Sequence, residues 1–333
     1  SKKLWHVSNI YQIPQQEKLA KRLCEISFAD YAFFCNSGTE AVEASIKIAR
    51  RYFHKRNNSK TKNEIITFEG SFHGRTIGSL AAGGPDKLES FNTSVNGFKH
   101  IEFGNHELLK KEINENTAAI IIEPLQGEGG IREVPSECLK GIRKICDEND
   151  TLLIFDEVQC GIGRTGKWFA HQHSLIKPDV MTLAKGLGSG VPIGACIANK
   201  AVTKLMEPGK HGSTFGGNPL ACSAGIVTLN TIEKDYLVKN AAKQGILISN
   251  LLKKKFKNNK NIVSIRSLGL MIGIELNLPC SDIVNIALEK KLLINVTSEN
   301  VIRVLPPLII NETEVKILCK RLINVIETFL NNL

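Results

Sequence analysis

Apolar positions recur at helical spacing over residues 16–23 and 39–52, and the stretch between them, YAFFCNSG, reads as a strand. Four further runs, EIITFEG, AAIIIEP, TLLIFDEV and DVMTLAK, are short, almost continuously apolar and closed by a polar or small residue. Strands buried on both faces of a parallel sheet have that texture. Helical patterns at 136–149 and 219–233 supply the crossovers. The alternation predicts an α/β fold whose mostly parallel central sheet binds ligands outside the carboxyl ends of its strands. Past residue 233 come a Lys-rich helix reaching Asn259, the strands IVSIRSLG, MIGIEL, KLLINVT and VIRVLPP, and a helix over 312–333. This reads as a smaller C-terminal α+β domain, so the chain divides into 1–232 and 233–333.

A chain of 333 residues, 42% hydrophobic and 23% charged, has the makeup of an ordinary globular protein, which excludes wholesale disorder and fibrous architectures. No apolar run is long enough to span a membrane; the longest, 118–122, stops at Glu123. The opening SKKLWHVSN has lysines but no apolar leader core, and the cytoplasm is the expected compartment. Nine cysteines, scattered and without a CxxC pair, read as reduced thiols rather than as a zinc or redox motif. The net charge of +10 raises the question of a nucleic-acid partner. Its densest patch, Lys253, Lys254, Lys255, Lys257 and Lys260, reads instead as a solvated helix end, and no nucleic-acid, membrane or metal partner is expected.

Asp156 closes the apolar run LLIFD at the carboxyl end of a buried strand, where a lone charge costs several kcal/mol. It reads either as a cap or salt-bridged residue, or as the counter-ion of a protonated heterocycle. Lys185 favours the second reading. It ends the next strand-like run 29 residues on, the length of one strand–helix–strand crossover, and is followed by Gly186, Gly188 and Gly190. Both side chains then project over one sheet edge, and desolvation makes the lysine a nucleophilic amine. That pairing is the one pyridoxal phosphate requires. FFCNSGTEAVEA offers a phosphate cradle at a helix N-terminus, with Gly38 allowing close backbone approach; a plain capping box at Ser37 and Glu40 is the alternative.

GIGRTG (Gly161, Gly163, Gly166) matches a dinucleotide fingerprint and leaves a nicotinamide dehydrogenase open. The strand runs on through Glu157, Val158 and Gln159 before the first glycine, and no acid-ended strand follows at the expected spacing, so a glycine-lined active-site loop accounts for it better. Arg75, in SFHGRT, and Arg303, in VIRVLPP, are candidate grips for a substrate carboxylate, although a structural ion pair is the commoner use of each. Phe72 suits the face of a planar ring or the core. The pairs His171/His173 and Glu123/Glu128 come without further metal ligands or glycosidase context, and neither is taken as a site.

In order along the chain, NSGTEA, SFHGRT, EPLQGEGG, FDEVQCGIGRTG, TLAKGLGSG and HGSTFGGNPLA resemble the motif set of the class III (ornithine-type) pyridoxal-phosphate aminotransferases, from Trp5 to the C-terminus. The resemblance implies fold type I (aspartate aminotransferase-like), pyridoxal 5'-phosphate as cofactor, and a homodimer with shared active sites. Three of the motifs are most similar to the branch that moves the δ-amino group of N-acetylornithine to 2-oxoglutarate, giving glutamate, in arginine biosynthesis. Some relatives of that branch also act on succinyldiaminopimelate, and other class III members take ornithine, 4-aminobutyrate or succinylornithine. By the same match, Lys185 is the lysine that carries the cofactor and Asp156 the partner of its ring nitrogen. Phe72 stacks on the ring, Gln159 lies near its oxygen, Glu157 and Val158 line it, Gly38 and Thr39 hold the phosphate, and Thr214 reaches the neighbouring subunit's phosphate. Arg75 and Ser213 match substrate contacts, Arg303 the grip on the α-carboxylate, and Glu128 the glutamate that pairs with that arginine. The resemblance also implies that an N-terminal family segment is missing ahead of Ser1.

Overall fold

The computed structural model describes residues 2–57, 61–204 and 206–332. Its strands are β1 (Tyr31–Cys35), β2 (Glu64–Phe68), β3 (Phe98–Ile101), β4 (Thr117–Ile122), the two-residue pair β5 (Leu125–Gln126) and β6 (Arg132–Glu133), β7 (Leu152–Asp156), β8 (Val180–Leu183), β9 (Gly194–Ala198), then β10 (Ile262–Leu268), β11 (Met271–Leu276), β12 (Asn295–Thr297) and β13 (Val301–Val304). The large sheet has the order β1-β9-β8-β7-β4-β2-β3. Its neighbours pair in parallel except around β9, which runs against both β8 and β1. Every residue of β4, β7, β8 and β9 is buried, which is why the first three read as almost continuously apolar runs. Separate apolar clusters cover the two faces of the sheet, one containing Ile120, Leu153 and Phe155 and the other Ala119, Ile121 and Ile154.

The helices expected from periodicity are present as Pro14–Ile26, Gly38–Asn57, Ser136–Glu148, Pro219–Lys234, Leu237–Lys255 and Glu312–Asn331. Two strands of the large sheet escaped the sequence reading, as did the two-residue pair β5 and β6. β9 (GACIA) is built of small residues and β3 (FKHI) carries two polar ones, so neither shows a strand pattern. The segment between β2 and β4 also holds short helices, Ile77–Gly83 and His106–Glu112 among them. In the C-terminal part, the antiparallel sheet β10-β11-β13-β12 packs on the helices Leu237–Lys255 and Glu312–Asn331 around its own core. Leu237 still belongs to the large core and Ala241 to the small one, so the change of core falls within the first turn of the helix that opens the second unit.

The GIGRTG loop has two roles. Gly161, Ile162 and Arg164 line a cavity that Gln159 and Lys185 also line, and the loop is in addition a joint between the two cores. Arg164 donates to the carbonyls of Leu270 and Pro306, and burial pulls its guanidinium down to about 10. A Cβ at Gly269, where φ is +54°, would meet the carbonyl carbon of Thr165 at 2.4 Å, so the two backbones touch through that glycine.

Candidate active site

Register places the two central residues. β7 and β8 are parallel neighbours with Asp156 opposite Thr182, and Lys185 follows three residues later in the short 3-10 turn Lys185–Gly188. Asp156 and Lys185 thus emerge at one edge of the sheet and line one cavity of about 520 Å³, a volume suited to a small ligand. Lys185 adopts φ +37°, an uncommon conformation for a residue with a side chain and one that surrounding packing must impose. Burial holds its amine below the usual lysine range, against the opposing pull of Asp156 and Glu128.

Asp156 is 3% exposed and both of its oxygens are engaged. Oδ1 accepts from Val158 N at 3.1 Å and from Thr182 Oγ1 at 3.0 Å, while Oδ2 accepts from His73 Nδ1 at 2.8 Å. Three donors fix the carboxylate and offset its desolvation. His73 Nε2 is buried and has no partner among the described residues. Glu123, at the end of β4, also lines the cavity; its Oε2 accepts from Phe72 N at 3.0 Å and its Oε1 from Gly127 N at 3.3 Å. Burial pushes this carboxyl up to about 7, with His73 lowering it and Asp156 raising it.

At the other end the helix Gly38–Asn57 begins at the cavity wall, and Asn36, Ser37, Gly38 and Thr39 line it. The capping alternative is realised in part: Ser37 Oγ accepts from Glu40 N at 3.3 Å, and the Glu40 carboxylate turns back to Asn36 N. The first-turn N–H groups that an α-helix leaves without internal acceptors still face an anion-sized space. A Cβ at Gly38 would meet Val158 Cγ1 at 2.7 Å, so only glycine lets the helix start lie this close to the wall. Phe72 and Arg75 complete the lining, with the Arg75 guanidinium 5.7 Å from the Phe72 ring centre. A glycine-backed anion cradle, a fixed carboxylate and a buried amine around one apolar-walled space fit a phosphorylated, planar, protonated heterocycle, and so fit pyridoxal phosphate.

Gln159 and Val158 line the cavity, and Gln159 Oε1 accepts from Arg303 Nη1 at 3.1 Å. Arg303, on β13 and 8% exposed, also pairs with Glu128 at 2.7 Å, and its Nε donates to Asn295 Oδ1 at 3.1 Å. Thr297 and Ser298 donate to the Glu128 carbonyl and Arg266 to that of Gly130, so the small unit holds the QGEGG loop in place.

The Glu157 side chain corrects the sequence reading. It is fully buried away from the cavity, where its carboxylate accepts from Ala170 N at 2.5 Å, His171 N at 2.9 Å and His171 Nδ1 at 2.9 Å. Ser213 and Thr214 do not line the cavity. Ser213 Oγ accepts from Asn36 Nδ2 at 3.1 Å, one residue away from it, and Thr214 is exposed. His171 and His173 have structural partners, Glu157 and the Thr165 carbonyl, and no group of potential metal ligands occurs among the described residues. The sequence reading missed His73 and the role of Glu123. Glu123 closes an apolar strand just as Asp156 does, and that was the available signal.

The aminotransferase class-III family model matches residues 1–326. An acetylornithine aminotransferase of Nitrosomonas europaea is 48% identical over 93% of this chain and 79% of its own length, and one of Brucella melitensis is 44% identical over 98% and 81%. Among solved structures, the N-acetylornithine aminotransferase of Stenotrophomonas maltophilia superposes with a TM-score of 0.86 at 34% identity, covering 99% of this chain and 84% of that one. An ornithine aminotransferase of Toxoplasma gondii, with pyridoxal phosphate at partial occupancy in its active site, superposes with a TM-score of 0.93 at 30% identity over 99% and 79%.

Proposed function

This chain belongs to the class-III aminotransferases, pyridoxal-phosphate-dependent transaminases of fold type I, and from that premise we propose that it transfers the δ-amino group of N-acetylornithine to 2-oxoglutarate in arginine biosynthesis. The observation that carries the reading is the convergence of Lys185 and Asp156 on one cavity whose far wall is a helix start opened by Gly38. The relatives' names direct it to the acetylated donor. Lys185 is the residue that would hold the cofactor covalently, with Gly38 and Thr39 at its phosphate, Phe72 on its face, Val158 and Gln159 along its edge and Asp156 at its ring nitrogen. Bound pyridoxal phosphate supplies an electron sink for the carbon that carries the transferred nitrogen.

The chain's own residues do the rest. The desolvated Lys185 Nζ takes a proton from the substrate carbon that carries the transferred nitrogen and would deliver it to the carbon of the bound cofactor that receives that nitrogen, acting as general base and acid in turn. A carboxylate pinned like Asp156 favours the protonated form of a ring nitrogen beside it. Arg75 and Arg303 present guanidinium groups to substrate carboxylates, and Glu128 neutralises Arg303 until a dicarboxylate displaces it. We place Thr214 at the phosphate of a neighbouring subunit and Ser213 at the substrate mouth, which requires a homodimer; the cytoplasm is the compartment proposed.

The test is substrate profiling of purified, cofactor-loaded protein with 2-oxoglutarate as acceptor. N-Acetylornithine is expected to give the highest kcat/KM. Preference for ornithine, 4-aminobutyrate or succinylornithine would reassign the donor within the family, and absence of glutamate formation from every donor would contradict the reading.

A further inference from the structure

The buried carboxylate of Glu123 has no task in the scheme above, yet its two oxygens hold two different pieces of the site. Oε2 takes the N–H of Phe72, the residue at the ring face, and Oε1 takes the N–H of Gly127, which directly precedes Glu128. Gly127 packs directly against Gln159, where a Cβ would meet Gln159 Oε1 at 1.9 Å, and Gln159 in turn accepts from Arg303. A displacement of Glu128 from Arg303 is therefore felt at Gly127 N–H and at the carboxyl that accepts it. We propose that Glu123 is a positioning residue that couples its own protonation to the opening of the Arg303–Glu128 pair, and so to the binding of the dicarboxylate substrate.

This rests on the function proposed above. Ionised Glu123 accepts both N–H groups well and holds Glu128 on Arg303. When a dicarboxylate displaces Glu128 and the turn shifts, Oε1 loses its donor, the charged form loses stabilisation and a proton enters from solvent. By reciprocity a rise in pH weakens dicarboxylate binding. The groups facing Glu123 are His73 from the loop after β2, Asp156 and Cys160 from the end of β7, Lys87 from the helix Asp86–Glu89, Arg132 from β6, and Lys185. Burial leaves Glu123 titrating close to neutrality, where the coupling is felt.

The probe is glutarate, a non-reacting dicarboxylate, bound to the cofactor-loaded enzyme and followed by calorimetry. Its Kd is expected to rise about fivefold between pH 6.5 and 8.5, with net proton uptake at pH 7 when two buffers of different ionisation enthalpy are compared. In Glu123→Gln both the slope and the uptake should vanish; in Glu128→Ala glutarate should bind more tightly and the slope should also vanish. An unchanged slope in folded Glu123→Gln overturns the inference, and so does absence of proton uptake by the wild type, which needs no variant. Failure of glutarate to bind in an Arg303-dependent way would instead overturn the substrate-site reading on which the inference stands.

Discussion

Lys185→Ala removes the covalent anchor and the proton carrier in one substitution, so it should abolish the violet absorbance of the bound cofactor and reduce turnover by several orders of magnitude. A variant that keeps both would contradict the role given to this amine. Asp156 and Lys185 were legible because each closes an apolar run, and a charge at that place needs a reason. Glu157 was misassigned by adjacency: Asp156, Val158 and Gln159 line the cavity, while the Glu157 carboxylate is buried on the N–H groups of Ala170 and His171. His73 left no trace in sequence spacing, since its contact with Asp156 spans 83 residues. Glu123 offers a pH test at this scale. Its folded pKa of about 7 lies above the unfolded value of 4.5, so its contribution to stability is full below about pH 4.5 and is lost as pH rises through 7. The apo-protein should lose on the order of 3 kcal/mol over that window relative to Glu123→Gln. Parallel pH–stability curves for the two proteins, measured by denaturant unfolding, would contradict it.

Among the elements, strand ends and helix starts build the site, and they differ in how well the sequence marks them. The buried parallel strands β4, β7 and β8 were readable because continuous apolar runs are rare elsewhere, whereas β9 is too small-residue-rich and β3 too polar to show a period. Two glycines in helices separate a site constraint from a propensity cost. Gly38→Ala sets a Cβ 2.7 Å from Val158 Cγ1 and should weaken cofactor binding about tenfold through overpacking. Gly141→Ala, in the helix Ser136–Glu148, meets nothing within 4 Å and should stabilise the fold by about 0.5–1 kcal/mol. Equal effects of the two on cofactor affinity, read by fluorescence titration, would argue against the cradle.

For the whole molecule, the texture of the sequence changes near residue 233, and the helix that begins at Leu237 contributes that residue to the large core and Ala241 to the C-terminal one. What the sequence could not convey is how the two meet. GIGRTG was read as a glycine-lined active-site loop, and Gly161, Ile162 and Arg164 line a cavity with Lys185; its second role was out of reach, because contact with Gly269 and the reach of Arg164 to Leu270 and Pro306 depend on segments over a hundred residues away. The QGEGG loop is likewise held from both sides, by Glu123 on the large unit and by Arg266, Thr297 and Ser298 on the small one. The Arg303–Glu128 pair therefore joins the two units across the cavity loop.

All of this depends on where the cofactor is attached. Borohydride reduction of the purified, cofactor-loaded protein, followed by peptide mass mapping, locates the modified residue directly. A single pyridoxyl adduct on Lys185 is the predicted result, and an adduct on any other lysine, with Lys185 unmodified, would contradict the account.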